Sequence, residues 1–381
     1  MARKAGKAPK ITKKSFKKDF AQLKVRIFLI LNILTCASSV EKTFQLMRKT
    51  IFPIIGLMTF ISVILNLPSA MENGKTDTLP TCMVMCSGGI QITFRISAIC
   101  LYVEKIRQLI NWFEGMEEDA FWASLGLSVE QRLRRTLHYL NIAIKYIALA
   151  FFFTLHLMLL KFYLSDILLF YVPLETRSYK FVGQYFILST MSIFVFISET
   201  LLLVLGFFFV AIINIFLDAV KKLDESEFVG ASEIPMKMYQ KRHVELLTKL
   251  KALETIFSAI QTAQLATSFP MMISTFYFNL ESIPNEIIYY IMSINIVVQF
   301  FTICLFGEFI NSKTEKIFSA LYLTRWYDMK KDNQMILMMM MRKSLEPFCL
   351  KAAGMYEINM KTFVSVTKLS FSFCAFLYAL D

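Results

Sequence analysis

Charge is scarce in this chain. Only 18% of its 381 residues are Asp, Glu, Lys or Arg, against about a quarter in soluble domains, so a water-soluble globular protein is excluded. Glycine (12) and proline (9) are also few, which removes the turn punctuation that strand-rich folds need. The apolar runs are long and continuous rather than alternating, so a membrane β-barrel falls with them. Three histidines, His138, His156 and His243, are too dispersed to suggest a metal site. Of seven cysteines, Cys36, Cys100, Cys304, Cys349 and Cys374 fall in or beside apolar segments. Only Cys82 and Cys86 lie near an outer loop, so no disulfide framework is indicated. No phosphate-binding glycine loop, metal motif or nucleophile constellation is found. The sequence predicts neither an enzyme nor a cofactor.

What remains is 56% hydrophobic and 14% aromatic, with mean hydropathy +0.53. The composition predicts an all-α integral membrane protein. Seven segments supply the ~20 apolar residues that a span needs: 51–68, 80–103, 137–163, 182–217, 246–281, 285–312 and 361–381. A shorter apolar patch, Ile27–Ala37, reads as an interfacial helix. The net charge of +12 reflects membrane topology, not nucleic-acid binding. Residues 1–50 hold thirteen Lys or Arg against only Asp19 and Glu41, a solvated basic tail without the cleavage site of a leader.

Orientation follows from the loops. With the N-terminus inside, the outer segments carry Lys75, Arg177 and Lys180 against Glu72, Asp77, Asp166, Glu175, Glu281, Glu286 and Asp381. The inner ones carry Arg132–Arg135, Lys221–Lys222, Lys241–Arg242 and Lys330–Lys331. The positive-inside bias predicts a cytosolic N-terminus and an extracellular C-terminus. A 36-residue helix over 246–281 would reach about 54 Å, well beyond a hydrocarbon core of about 30 Å. Long helices are therefore expected to continue into a cytosolic anchor region. The predicted organisation is a cytosolic segment with an interfacial helix (1–50), a six-helix bundle (51–312), the anchor (313–360) and a last helix (361–381). There is no internal repeat.

Seven spans raise the possibility of a G-protein-coupled receptor. The charge bias is reversed, however, and the D/E-R-Y and N-P-x-x-Y motifs are missing. The C-terminal block points elsewhere. Ala320-Leu321-Tyr322 leads to Trp326-Tyr327-Asp328, then Met341-Arg342, Pro347 and Lys351-Ala352-Ala353-Gly354. Phe363, Lys368, Ser370-Phe371-Ser372-Phe373 and Leu377 close the pattern. This resembles the insect odorant receptor family. Gustatory relatives carry T-Y, five apolar residues and Q-F in the last span; here Thr362-Phe363 is followed by Leu369-Ser370, which sets that branch aside. The shared co-receptor has a long insertion between spans four and five, whereas Asp218–Val244 is short. The chain is thus similar to an odorant-specific tuning subunit. The resemblance implies a ligand-gated, non-selective cation channel assembled with the olfactory co-receptor in the plasma membrane of a sensory neuron. Its partners would be small volatile odorants, permeant cations and lipid, with no G protein and no nucleic acid. The alternatives are a gustatory-type receptor channel and a membrane transporter, the latter disfavoured because inverted repeats and paired broken helices are not apparent.

Four groups of residues are candidates. In the last span Ser365, Lys368, Ser372, Phe376, Ala379 and Leu380 recur at helical spacing, a polar stripe narrowing to an apolar constriction that suits a pore. Small hydroxyls would equally permit close helix packing. Lys368 opposes cation flow, so it belongs in a wide inner vestibule or snorkels. For a pocket of mostly apolar character, the outer halves of the spans offer four sets. These are Ser87, Ile90, Gln91 and Phe94; Phe151, Phe152, Thr154, His156 and Leu157; Tyr185, Phe186, Thr190 and Phe194; and Tyr289, Tyr290 and Ser293. Arg95 and Glu199 stand mid-span at similar depth and are predicted to pair, with Lys145 nearby, because a lone charge in the bilayer costs at least about 2.5 kcal/mol. Tyr322, Trp326, Tyr327 and Asp328 could form a subunit contact.

Overall fold

The computed structural model describes residues 16–35, 42–72, 78–116, 119, 121–122, 127–164, 166, 168–173, 176–223, 236–281 and 287–379. Ten long helices run through them: α1 (Phe16–Leu34), α2 (Lys42–Glu72), α3 (Thr78–Leu101), α4 (Val103–Gly115), α5 (Leu127–Leu164), α6 (Arg177–Lys222), α7 (Met236–Glu281), α8 (Ile287–Tyr322), α9 (Lys331–Ser344) and α10 (Met360–Tyr378). A 3-10 turn spans Trp326–Asp328, and a two-residue hairpin pairs β1 (Lys351–Ala352) with β2 (Tyr356–Glu357).

Among the described residues, six segments are long and apolar enough to cross a membrane: Thr50–Pro68, Cys82–Leu101, Val129–Leu164, Arg177–Lys222, Tyr290–Tyr322 and Met360–Tyr378. The predicted span 246–281 falls within α7, which is not among them. The reason is position. Helix α7 packs against α3, α8 and α10, and its buried residues include Gln261, Gln264, Thr267, Ser268, Ser274 and Thr275. A helix screened by its neighbours can carry polar side chains, provided they find partners inside the protein.

The helices extend past the predicted spans, and the 80–103 segment breaks at Tyr102, where α4 begins. Helix α4 buries Val103, Ile106, Leu109, Ile110 and Phe113, a 3.6-residue stripe. The patch expected as an interfacial helix belongs to α1, which starts earlier, at Phe16. Phe20, Leu23, Ile27, Leu31 and Leu34 are buried, while Val25, Leu29 and Ile33 are exposed. Phe20 meets the Phe208 ring edge-on at 5.2 Å, and Phe113 stacks on Phe208 at 5.3 Å. This cluster fastens α1 and α4 to α6.

Helix α10 is held along a narrow line. Asn359 caps its start by accepting the Thr362 N–H at 3.0 Å. Ser370 and Cys374, one turn apart, are its buried residues. Phe363 contacts Phe300 and Phe301 of α8, and Phe371 and Phe373 contact Phe276 and Phe269 of α7. The hairpin just before it is tied to α7, where Thr262 Oγ1 accepts the Ala353 N–H at 2.7 Å. The hairpin turn holds Ala353 at φ 49° and Gly354 at φ 70°, and glycine adopts that region without strain.

Two contacts make testable demands. Gly307 of α8 lies where an added Cβ would sit 1.8 Å from the Ile358 carbonyl oxygen. Because the obstacle is backbone, Gly307→Ala must push the start of α10 away; a cost of about 1–3 kcal/mol is expected, read as a lower melting temperature of the detergent-solubilised protein. An unchanged melting temperature would show that this approach is dispensable. His243, at the start of α7 outside the predicted span, is fully buried. Its ring stacks on Phe216 at 5.7 Å, and its Nε2 lies 3.0 Å from the Ser344 hydroxyl of α9. Burial, aided by the nearby Lys343 charge, pushes its pKa down to about 4. The unfolded chain takes up this proton near pH 6.5 and the folded protein only near 4. Stability is thus intact above pH 6.5 and falls toward pH 4, by at most about 1.4 kcal/mol per pH unit. His243→Gln should remove that portion of the pH dependence in melts recorded between pH 7 and 4.5.

Candidate functional site

Between α3, α5, α6 and α8 lies a cavity of about 260 Å³. Its walls are apolar: Val84, Ile92, Ile147, Phe151, Met158, Leu188, Met191, Val195, Met271, Met292 and Ile296. Small residues, Gly88, Ala150 and Ser192, leave the space open, and polar groups converge from several helices as Gln91, Thr154, Asn295, Gln299, Thr302 and Glu199. Asn295 Nδ2 donates to Thr154 Oγ1 at 3.2 Å, linking α8 to α5 across the cavity. Gln91 Nε2 donates to Thr267 Oγ1 at 3.1 Å, linking α3 to α7. An apolar chamber with few placed polar groups is the usual form of a small-molecule site.

The charged pair lies beside it. Arg95 is 1% and Glu199 5% exposed. Arg95 Nη1 donates to Glu199 Oε1 at 2.6 Å, and Nη2 donates to the Gln264 side-chain oxygen. Gln264 Nε2 in turn reaches Ser268 Oγ at 3.4 Å. Three helices, α3, α6 and α7, thus meet at one guanidinium. Lys145, expected near this pair, stands exposed on α5 instead, and the third member is the neutral Gln264. An amide extends the network without adding a second buried cation.

Of the expected pocket residues, the structure brings Gln91, Phe151 and Thr154 together around this cavity. Ile90 and Phe94 border a larger open cleft of about 700 Å³ between α3 and α7, which also meets Tyr102, Lys251, Glu254 and Thr262. Phe152, Tyr185, Phe186 and Tyr290 are exposed on the outside of their helices. His156 is exposed beside Phe152, with its Nδ1 2.8 Å from the Phe152 carbonyl oxygen. Thr190 donates back to the Phe186 carbonyl, and Leu157 is half-buried away from the cavity lining. Phe194 is buried against Phe52, Ser87 is buried outside the lining, and Ser293 bonds Asn279 at 2.8 Å. The Tyr289 side chain and Leu380 lie outside the described residues. Sequence reasoning missed Glu199 as a cavity residue, together with Asn295 and Gln299. Their one signal was polarity within otherwise apolar helices.

Along α10, Ser365, Lys368, Ser372, Phe376 and Ala379 are all exposed, opposite the face buried through Ser370 and Cys374. Tyr322, Trp326, Tyr327 and Asp328 are also exposed, near the exposed Met335, Met338 and Met339 of α9.

A family model described as 7tm Odorant receptor matches residues 75–371, well over half of the chain. The chain belongs to the insect odorant receptor family. It is a multi-pass plasma-membrane receptor with seven transmembrane helices, not an enzyme. Odorant receptor 33c of Drosophila melanogaster is 28% identical over 93 residues, 24% of each chain. Odorant receptor 33b of the same fly is 28% identical over 85 residues, 22% of each. These matches span about a quarter of the length of the curated relatives. The insect olfactory receptor OR5 from Machilis hrabei has the same fold over its whole length. Its structure alone aligns at TM-score 0.76 with 12% identity, covering 95% of this chain and 100% of that one. Its complex with eugenol aligns at 0.74 with 13% identity, covering 96% and 100%.

The buried pair in this receptor makes a specific prediction. Arg95→Met alone leaves Glu199 buried without its cation and should destabilise the protein by about 3–5 kcal/mol, whereas Arg95→Met with Glu199→Leu should lie near wild type. Thermal melts of the three proteins in detergent decide it; two equally destabilised variants would count against a coupled pair.

Proposed function

We propose that this receptor is the odorant-binding, tuning subunit of a ligand-gated non-selective cation channel that works as a heteromer with the olfactory co-receptor. The observation that carries the reading is the apolar cavity at Gly88, Gln91, Phe151, Thr154 and Asn295, which suits a small volatile molecule. Its outward-facing partner is α10. The exposed stripe Ser365, Lys368, Ser372, Phe376 and Ala379 is left uncovered by the described residues of its own chain, as the wall of a pore shared between subunits requires. With the N-terminus cytosolic, Phe376 would form the constriction near the outer end and Lys368 would sit in the inner vestibule. The exposed aromatics Tyr322, Trp326 and Tyr327, beside Asp328, would dock against a neighbouring subunit in the cytosolic anchor.

Each residue has a definite part in this mechanism. The methionine and isoleucine walls bind through dispersion, which discriminates by shape. Gln91 and Asn295 fix two walls by hydrogen bonds to Thr267 and Thr154. Helix α7 lies between α3 and α10, so a ligand that shifts the balance of α3 and α7 positions also shifts α10. Co-expression with the co-receptor should give fast volatile-evoked cation currents, and Phe376→Ala should raise the basal leak. Gly88→Phe should abolish the evoked currents with surface assembly intact, since a Cβ at Gly88 meets nothing within 4 Å and Gly88 lines the cavity that the ring would fill. Evoked currents that survive Gly88→Phe would place the ligand elsewhere.

A further inference from the structure

Glu199 has two environments. One carboxylate oxygen, Oε1, accepts from Arg95. The residue also lines the ligand cavity together with Ser192, Val195, Gln299 and Thr302, and Oε2 has no donor among the described residues. The charge is costly at this depth unless it is fully hydrogen-bonded, and Arg95 supplies only part of that. The cavity walls are mostly apolar, and the nearby donors Gln91, Thr154, Asn295 and Thr302 are directed to other protein acceptors, so an occupant without a donor would leave the free oxygen unsatisfied. An occupant with a donor would satisfy it.

We propose that Glu199 is the polar anchor of the ligand cavity, and that the receptor selects small, mainly apolar molecules carrying one hydrogen-bond donor, a hydroxyl or an amine, over those without one. This rests on the cavity being the odorant site. The chemistry of discrimination is strongly asymmetric: a site built to accept a donor rejects the analogue that lacks it far more sharply than an apolar wall rejects a missing methylene. Arg95 of α3 has a positioning role, because its bond to Gln264 ties it to α7 while its other nitrogen orients Oε1. Only the second oxygen is left for the ligand. Hydroxyl and amine ligands differ in one respect: the amine arrives as a cation and shares the carboxylate with Arg95 across a short distance, so it meets like-charge repulsion that a hydroxyl does not. The hydroxyl is therefore the favoured donor.

The test uses the receptor co-expressed with its co-receptor and a panel of straight-chain and aromatic primary alcohols of six to ten carbons, each with its methyl ether and its amine. In the wild type, alcohols should activate at concentrations at least about tenfold below their ethers, with amines between the two. Glu199→Gln keeps an acceptor but removes the charge and should shrink the alcohol-to-ether ratio several-fold, since bonds to charged groups are about twice as strong. Because that variant leaves the Arg95 charge buried without its carboxylate, the paired Arg95→Met, Glu199→Leu receptor is the control for folding; its ratio should fall to about one while ethers still activate. An ether preferred in the wild type, or a ratio unchanged in the paired variant, overturns the anchor. Gly88→Phe separates the two readings: silence toward all three classes with an unchanged ratio in the paired variant leaves the cavity in place and removes only the anchor.

Discussion

A guanidinium buried among helices sets the terms for this molecule. Within a bilayer no water satisfies a polar group, so every charge and every amide that leaves the surface must be met by protein. Arg95 places its two terminal nitrogens against Glu199 and Gln264, and the three residues come from α3, α6 and α7. The geometry therefore fixes three helices at one depth. Along the inward polar face of α7, Gln91, Ser293 and Arg95 supply partners to Thr267, the Thr275 carbonyl and Gln264.

The same requirement shapes the cavity. Several of its polar groups are engaged with protein partners, Asn295 with Thr154, Gln91 with Thr267, Thr302 with the Val298 carbonyl and Glu199 with Arg95, while methionines and branched aliphatics cover the rest. Such a chamber is stable without an occupant because its walls are apolar. It is adaptable because methionine side chains repack at low cost. The narrow attachment of α10, through Ser370, Cys374 and a line of phenylalanines, leaves the opposite face of that helix free. A helix held by one edge can move relative to α7 and α8 at lower cost than one buried all round.

Particular residues show how far pattern carries. The spacing of Arg95 and Glu199 along two apolar segments placed them at similar depth, and they meet at 2.6 Å. Three- and four-residue spacing put the α10 stripe on one face, and the structure leaves that face exposed. For the pocket, aromatic content was a weak guide. Phe152, Phe186 and Tyr290 face outward, whereas the space is bounded by Gly88, Ala150, Ser192 and Met158. A lipid-facing side chain and a cavity-facing one have the same hydropathy, so no periodicity tells them apart. The second partner of Arg95 was missed for a related reason: Gln264 lies in a helix that is central rather than lipid-exposed.

The sequence by itself determined an all-helical membrane protein, the family block from Ala320 to Leu377, and the need for a partner at each buried charge. These depend on local composition and spacing, which the bilayer reads one residue at a time. The tertiary structure decided the rotation of each helix about its own axis, and with it which residues enclose the cavity, that Glu199 serves both the ion pair and the cavity, and that Lys145 serves neither. Rotation depends on the summed packing of neighbours far apart in the chain, through contacts such as Gly307 against Ile358. No single segment encodes it.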